Sequence, residues 1–191
     1  IVVYEKTKQQ RKNAFLLPSL FIHYKPFSWL NIKIGNTKTL TRPDYSSIIP
    51  LTRANGPRKE LDWRNKTLEP GLSNNVDLSV SLLEDQLGLL TIGYFKKSIT
   101  NLIYSSGSRM YFAEDTSRFG ISSNYVDFKI LNYELNNPHE IDLKGWEIDY
   151  QTRFWYLPGA LNGLVFNANY TVSSSQVKYP RTVIDSYMDW D

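Results

Sequence analysis

Few of the 191 residues are of types and spacings that carry chemistry. The chain has two histidines. His139 precedes Glu140 but lacks the second histidine one helical turn on that a zinc-binding HExxH pair needs, and His23 has no ligand neighbour at metal spacing. Glu147 and Asp149 lie two residues apart, on one side of any strand that holds them, which is an arrangement suited to acid–base work. Arg153 falls on the same side, so a ladder of hydrogen bonds and ion pairs along a polar face accounts for the three better than catalysis does. Asp185, Asp189 and Asp191 surround Trp190; loop carboxylates can hold calcium, but this spacing is equally that of an acidic surface. Neither a glycine-rich phosphate loop nor a GxSxG elbow occurs. The chain has no cysteine, hence no thiol nucleophile and no disulfide framework. The expectation is a protein without catalytic residues, metal or cofactor, and not an enzyme.

Binding chemistry is more promising. The Arg42–Glu69 segment carries Arg42, Asp44, Tyr45, Arg53, Arg58, Lys59, Trp63, Arg64 and Lys66. Outward-facing guanidinium groups grip anions, and aromatic rings stack on sugars. Arg42, Asp44, Tyr45, Arg53, Arg58, Trp63 and Arg64 are therefore the candidate ligand-binding residues. Phosphates on a membrane glycolipid would call on the same groups. Net charge is +3, too small to argue for nucleic acid, and the densest basic stretch, Lys6 to Lys12, reads as a solvated loop.

The elements that hold these residues are strands. Aromatics make up 14% of the chain, with 13 Tyr and 5 Trp, which favours strands over helices. Helical periodicity is nearly absent, and period-two alternation recurs. Ala14–Lys25 sets Leu16, Leu20, Ile22 and Tyr24 against Ser19, His23 and Lys25. Trp29–Thr41 sets Leu30, Ile32, Ile34 and Leu40 against Asn31, Lys33, Thr37 and Thr39. Asn75–Leu83 sets Val76, Leu78, Val80 and Leu82 against Asp77, Ser79 and Ser81. Leu87–Tyr104 sets Leu90, Ile92 and Tyr94 against Thr91, Gly93 and Lys97. Gly145–Thr171 does so twice, with Trp146, Ile148, Tyr150, Phe166 and Tyr170 opposite Glu147, Asp149, Arg153, Asn167 and Asn169. A further strand is expected within Tyr125–Leu135.

Connections alternate in length. Those at Pro26–Ser28, Glu84–Gln86 and Leu157–Asn162 are short, and those between the hairpins are long. Compact domains mostly use connections of about 4–6 residues, whereas a transmembrane β-barrel alternates short turns with long outer loops. Its strands need about 9–11 tilted residues with an apolar outer face. Tyr24, Phe27 and Trp29, and Phe154, Trp155 and Tyr156, gather at the short turns, as rings at the headgroup level do. No segment reaches the ~18 apolar residues of a membrane helix. A soluble antiparallel sheet also alternates apolar and polar, so a soluble or surface β-sandwich that binds carbohydrate remains the alternative.

Three segments resemble the barrel of TonB-dependent outer-membrane receptors: LPSLFIHYKPFSWLNIKIGNTKTLTRPDY (Leu17–Tyr45), NKTLEPGLSNNVDLSVSLLEDQLGLLTIGYFKKSITNLIY (Asn65–Tyr104), and GWEIDYQTRFWYLPGALNGLVFNANYT (Gly145–Thr171). The resemblance implies an all-β fold whose antiparallel up-and-down strands form part of a transmembrane barrel of about 22 strands. Hairpins are expected around 14–41, 75–104 and 143–174, with extracellular loops at 42–73, 105–140 and 175–191. The chain shows no plug domain and reads as an internal piece from the later half of the barrel. The implied role is TonB-energised import of a scarce nutrient (siderophore-bound iron, cobalamin or a glycan) across the bacterial outer membrane. Implied partners are outer-membrane lipid and lipopolysaccharide, the receptor's own plug domain, the TonB system, the nutrient and, for a glycan, a surface lipoprotein. Lys33, Asp77, Lys97, Glu147, Asp149 and Arg153 are expected to face the lumen and plug; Ile32, Leu78, Val80, Trp146, Ile148, Tyr150, Phe166 and Tyr170 are expected to face lipid.

Overall fold

The computed structural model describes residues 12–49, 52–107, 109–110, 121–131 and 133–180. The acidic end around Trp190, with Asp185, Asp189 and Asp191, lies outside these residues, as does the basic stretch before Lys12.

The alternating segments form six long strands: β1 (Ser19–Phe27), β2 (Leu30–Thr41), β5 (Gly71–Glu84), β6 (Gly88–Thr100), β11 (Ile141–Arg153) and β12 (Val165–Gln176). They make one sheet in the order β1-β2-β5-β6-β11-β12, and every neighbouring pair is antiparallel. Sequence neighbours are therefore spatial neighbours. This is an up-and-down wall of three hairpins, as the sequence pattern predicts. Among the described residues β1 and β12 are the outer strands, with one partner each.

Two strand ends differ from the sequence pattern, for local reasons. The first strand begins at Ser19 instead of Ala14. Proline has no N–H to give to the ladder, and the carbonyl of Pro18, which accepts from the Lys38 N–H at 2.9 Å, is the last group paired. The fourth strand ends at Thr100 instead of Tyr104, because Asn101 turns to φ 56°. Pairing resumes beyond this kink between β7 (Ile103–Ser105) and β10 (Glu134–Asn136).

At the short turns the geometry is fixed by side chains. The Glu84 carboxylate accepts from the N–H groups of Gln86 and Leu87 at 2.8 and 2.7 Å. Gly88 then takes φ +88°, and a Cβ there would stand 2.2 Å from the Gln151 carbonyl. The Tyr150 hydroxyl donates to the Leu87 carbonyl at 2.7 Å, and the Trp155 indole donates to the Asp85 carbonyl at 3.1 Å. Phe27 and Trp29 stack at the first turn with centroids 5.2 Å apart.

The two long connections are not open loops. They contribute β3 (Thr52–Asn55), β4 (Glu60–Trp63), β8 (Arg109–Met110) and β9 (Lys129–Ile130), which form a second small sheet in the order β3-β4-β9-β8. β4 and β9 run parallel, with Leu61 opposite Ile130. The strand expected within Tyr125–Leu135 is instead a 3-10 turn at Ser123–Tyr125 followed by the short β9 and β10. Leu61, Trp63, Ile121, Ile130 and Tyr133 make a buried cluster, with Tyr125, Val126, Phe128 and Leu135 packed against it. Among the described residues nearly all the buried apolar side chains belong to this loop unit, and the large sheet has no layer on either face.

Two stability predictions follow from this packing. A Cβ at Gly145 would meet the Val172 carbonyl at 2.5 Å and the Phe95 ring at 2.6 Å, whereas one at Gly35 meets only the Phe21 ring, at 3.4 Å. In the full-length receptor Gly145→Ala should cost about 1–3 kcal/mol in urea unfolding and Gly35→Ala clearly less, as expected of overpacking against fixed backbone; equal costs contradict the register. Trp63→Ala should loosen the loop unit by about 3–5 kcal/mol, read as faster amide exchange in β4 and β9, with exchange in β5 and β6 unchanged.

Candidate functional site

Register sorts the side chains of the large sheet into rows. One row runs Tyr24, Ile32, Val80, Ile92, Ile148, Tyr170; the next runs Ile22, Ile34, Leu78, Tyr94, Trp146, Val172; a third holds Leu30, Leu82, Leu90, Tyr150 and Ala168. Phe166, opposite Thr152, follows one step nearer the turns. All eight residues expected to face lipid thus share one face. Its large side chains stay open: Trp146 is 56%, Leu78 40% and Phe166 46% exposed. A soluble sheet would bury them, since large exposed apolar patches mark an interaction surface.

The six residues expected to face the lumen share the other face. Lys33 and Glu147 stand in the row His23, Lys33, Ser79, Gly93, Glu147, Thr171, and Asp77 in the next, with Phe21, Gly35, Phe95 and Gly145. Lys97, Asp149 and Arg153 occupy further positions of the same parity. A shallow depression of about 430 Å³ opens here, lined by His23, Lys33, Asp77, Ser79, Gly93 and Glu147 among others. The polar ladder on this face is built from amides and hydroxyls. Asn169 donates to the Glu147 carboxylate at 3.0 Å and Gln151 to the Asp149 carboxylate at 3.0 Å. Asn75, nearly buried, donates to the Thr37 and Thr39 hydroxyls at 3.2 and 3.3 Å. The ion pairs formed among the described residues, Arg64–Asp62 and Lys96–Asp142, lie elsewhere, so Arg153 does not complete the ladder with Glu147 and Asp149 as the sequence suggested.

The candidate ligand residues fall into three groups. Arg42, Asp44 and Tyr45 follow β2 and are exposed, Tyr45 most of all. Asp44 caps the one-turn helix α1 (Tyr45–Ile48), accepting from the Ser46 N–H at 2.8 Å. That hydrogen bond holds its carboxyl below the usual value. Because the folded pKa is lowered, the cap contributes fully near neutral pH and is lost as pH falls through that lowered value. Arg53 and Arg58 are exposed on the β3–β4 hairpin. Trp63 and Arg64 differ from the expectation. Trp63 is 7% exposed, with its ring inside the loop core, so it supports the hairpin and offers no ligand surface. Arg64 is half-buried and engages Asp62, Nε to Oδ1, at 3.3 Å.

Sequence reasoning missed the asparagines that join the loops to one another and to the sheet. Asn136 donates to the carbonyls of Glu69 and Asn101 at 2.7 and 2.9 Å and accepts from the Glu69 N–H at 2.8 Å. Asn65 donates to the Glu134 carbonyl at 2.9 Å, and the fully buried Asn137 to that of Lys178 at 2.8 Å. Their only sequence signal is an asparagine near a strand end, which is common to most loops.

No curated protein matches the chain. Among solved structures it is similar to a ferric enterobactin receptor mutant from Pseudomonas aeruginosa in complex with enterobactin, at 19% identity and a TM-score of 0.49, over 71% of this chain and 20% of that one. It is likewise similar to the ferric enterobactin receptor in complex with BCV-L6, at 18% identity and 0.49, with the same coverage. The chain spans about a fifth of the length of these structures. The family described as TonB dependent receptor-like, beta-barrel, matches across residues 2–190, and together with the up-and-down wall and its opposed faces this establishes that the chain belongs to that family.

Proposed function

We propose that this chain is part of the barrel wall of an outer-membrane receptor that imports a scarce nutrient with TonB-coupled energy. The observation that carries the reading is the open apolar face, continuous over six strands and backed by a polar face. Hydrocarbon covers such a face without a second protein layer, and a closed barrel leaves no backbone polar group unpaired in lipid. Further strands of the same barrel pair with the outer edges of β1 and β12. A sandwich would need a second sheet packed about 10 Å away on the apolar side, and the small loop sheet builds its own separate core instead.

In this reading Ile32, Leu78, Val80, Trp146, Ile148, Tyr150, Phe166 and Tyr170 contact acyl chains. Lys33, Asp77, Lys97, Glu147, Asp149 and Arg153 face water and a plug domain. The loop unit stands on the outer side, where exposed Arg42, Tyr45, Arg53 and Arg58 favour an anionic or ring-bearing cargo such as a ferric siderophore over a neutral one. A glycan taken with a surface lipoprotein fits the same tyrosine but makes less use of the arginines.

Replacing Ile148 by Arg should destabilise the full-length barrel in phospholipid vesicles by about 2–4 kcal/mol if that residue lies near the midplane, and Asp149→Asn should cost much less; equal penalties would sink the assigned orientation. In cells expressing the whole receptor, uptake of a labelled ferric siderophore should stop when the proton gradient is collapsed. Removing Arg42, Arg53 and Arg58 together should weaken binding of that anion by about ten-fold or more, while unchanged binding would remove the arginines from the site.

A further inference from the structure

The apolar face ends abruptly on the side of the long loops, and what ends it is basic. Beyond the row of Leu78, Tyr94 and Trp146 comes Asn36, Val76, Lys96, Lys144, Ser174, and beyond that Lys38, Asn74, Ser98, Asp142, Gln176. By register these side chains share the face of the apolar band. Lys96 and Lys144 are direct cross-strand partners, an arrangement of like charges that is unfavourable by itself. Asp142 relieves it in part: its Oδ1 lies 3.6 Å from the Lys96 Nζ and accepts from the Ser98 hydroxyl at 2.6 Å. Three ammonium groups against one carboxylate leave the border with an excess of two positive charges. The polar face differs, because Lys33, Lys97 and Arg153 are interspersed there with Asp77, Glu147 and Asp149.

We propose that Lys38, Lys96 and Lys144 form a binding site for the phosphate groups of an anionic lipid headgroup, in the leaflet on the side of the long loops. The inference rests on the reading that lipid covers the apolar face, and names the lipid chemistry met at its edge. Tyr94 and Trp146, whose rings are 5.0 Å apart, stand one row below Lys96 and Lys144. An acyl chain lying on these rings brings its headgroup to the two ammonium groups, and long lysine stems reach such a boundary while keeping the charge in the polar layer. Charge-assisted bonds to phosphate offset the repulsion between the lysines, and asparagine and serine in the same rows supply neutral donors. The opposite border, at the short turns, is edged by Phe27, Trp29, Trp155 and Tyr156, so the two ends of the band suit different leaflets.

The test uses the full-length receptor in detergent, with bound lipid read by native mass spectrometry. Bisphosphorylated lipid A should be retained by the unaltered receptor and lost about ten-fold more readily from the Lys96→Gln/Lys144→Gln double variant. Lys33→Gln/Lys97→Gln on the other face should retain it fully, and Lys96→Arg/Lys144→Arg should keep most of it. Dephosphorylated lipid A should bind no better to the unaltered receptor than to the glutamine variant. Equal retention by all variants overturns the proposal, as does equal binding of the dephosphorylated lipid. Inorganic phosphate that binds as tightly as lipid A would make this a free-anion site and overturn the lipid assignment. If the double variant does not fold, the single Lys144→Gln variant carries the same comparison. Quenching by brominated phosphatidylcholine, taken as the difference between the unaltered receptor and Trp146→Phe, reports lipid on the apolar face separately. Quenching at Trp146 with no lysine effect defeats this inference alone, and no quenching defeats the lipid reading beneath it.

Discussion

Backbone pairing across six strands allows one face of this protein to do without both water and a protein layer. Each long strand is paired antiparallel to its neighbours over nearly its whole length, from β1 through β12. With the backbone N–H and C=O groups consumed in the ladder, the face of Ile32, Leu78, Ile148 and Tyr170 presents hydrocarbon alone. A helix would satisfy its backbone within itself, and a sheet can do so only through its neighbours, so the wall is stable only as part of a larger ring. The short turns serve the same end. Glu84 holds two N–H groups of its turn, and Tyr150 and Trp155 from the adjoining hairpin occupy the turn's carbonyls.

Where the ladder stops, stability must come from a conventional core, and the protein builds one from two connections far apart in sequence. Leu61 and Trp63 come from the first, Ile121, Ile130 and Tyr133 from the second. Neither connection has enough apolar side chains to close a core alone. The parallel pairing of β4 with β9 and the amide bonds of Asn65 and Asn136 lock them together and tie them to the kinked end of the wall. Ordering long connections costs conformational entropy, which this shared core offsets. A single surface above the wall results, with Arg53 and Arg58 held on a supported hairpin instead of a free loop.

The wall was legible in the sequence because its signal is local. Period-two alternation depends only on residues two apart, so the faces of β2, β5, β6, β11 and β12 follow from the string of residue types. The resemblance of three segments to a barrel family added strand order, which alternation cannot supply. The loop unit was not legible. Its key pairing joins residues near 60 to residues near 130, and the strands involved, Glu60–Trp63 and Lys129–Ile130, are too short to alternate visibly. Trp63 illustrates the consequence: surrounded in sequence by Asp62, Arg64 and Lys66, it reads as exposed, and only the distant Ile130 and Tyr133 make its site apolar. The asparagine bonds are illegible for the same reason, because an amide near a strand end does not reveal the remote carbonyl it meets.

Phe21 and Phe95 violate the alternation, and their neighbours explain why. Both lie on the polar face, each directly opposite a glycine: Phe21 across from Gly35 and Phe95 across from Gly145. A Cβ at either glycine would enter the space of the paired ring, so each ring lies over bare backbone. A ring laid over a glycine recovers packing that the missing side chain forgoes, and it shields a stretch of ladder that would otherwise meet water. Glycine in a strand interior is otherwise a weakness, and a sheet that must curve can use it where side chains crowd. The row containing both pairs borders the depression lined by Lys33, Asp77, Ser79, Gly93 and Glu147, where small residues and flat rings leave room. Apolar character therefore has two meanings in this wall. On one face it marks contact with hydrocarbon. On the other it marks a ring filling the gap over a glycine, and the cross-strand partner, not the hydrophobicity of the residue, tells the two apart.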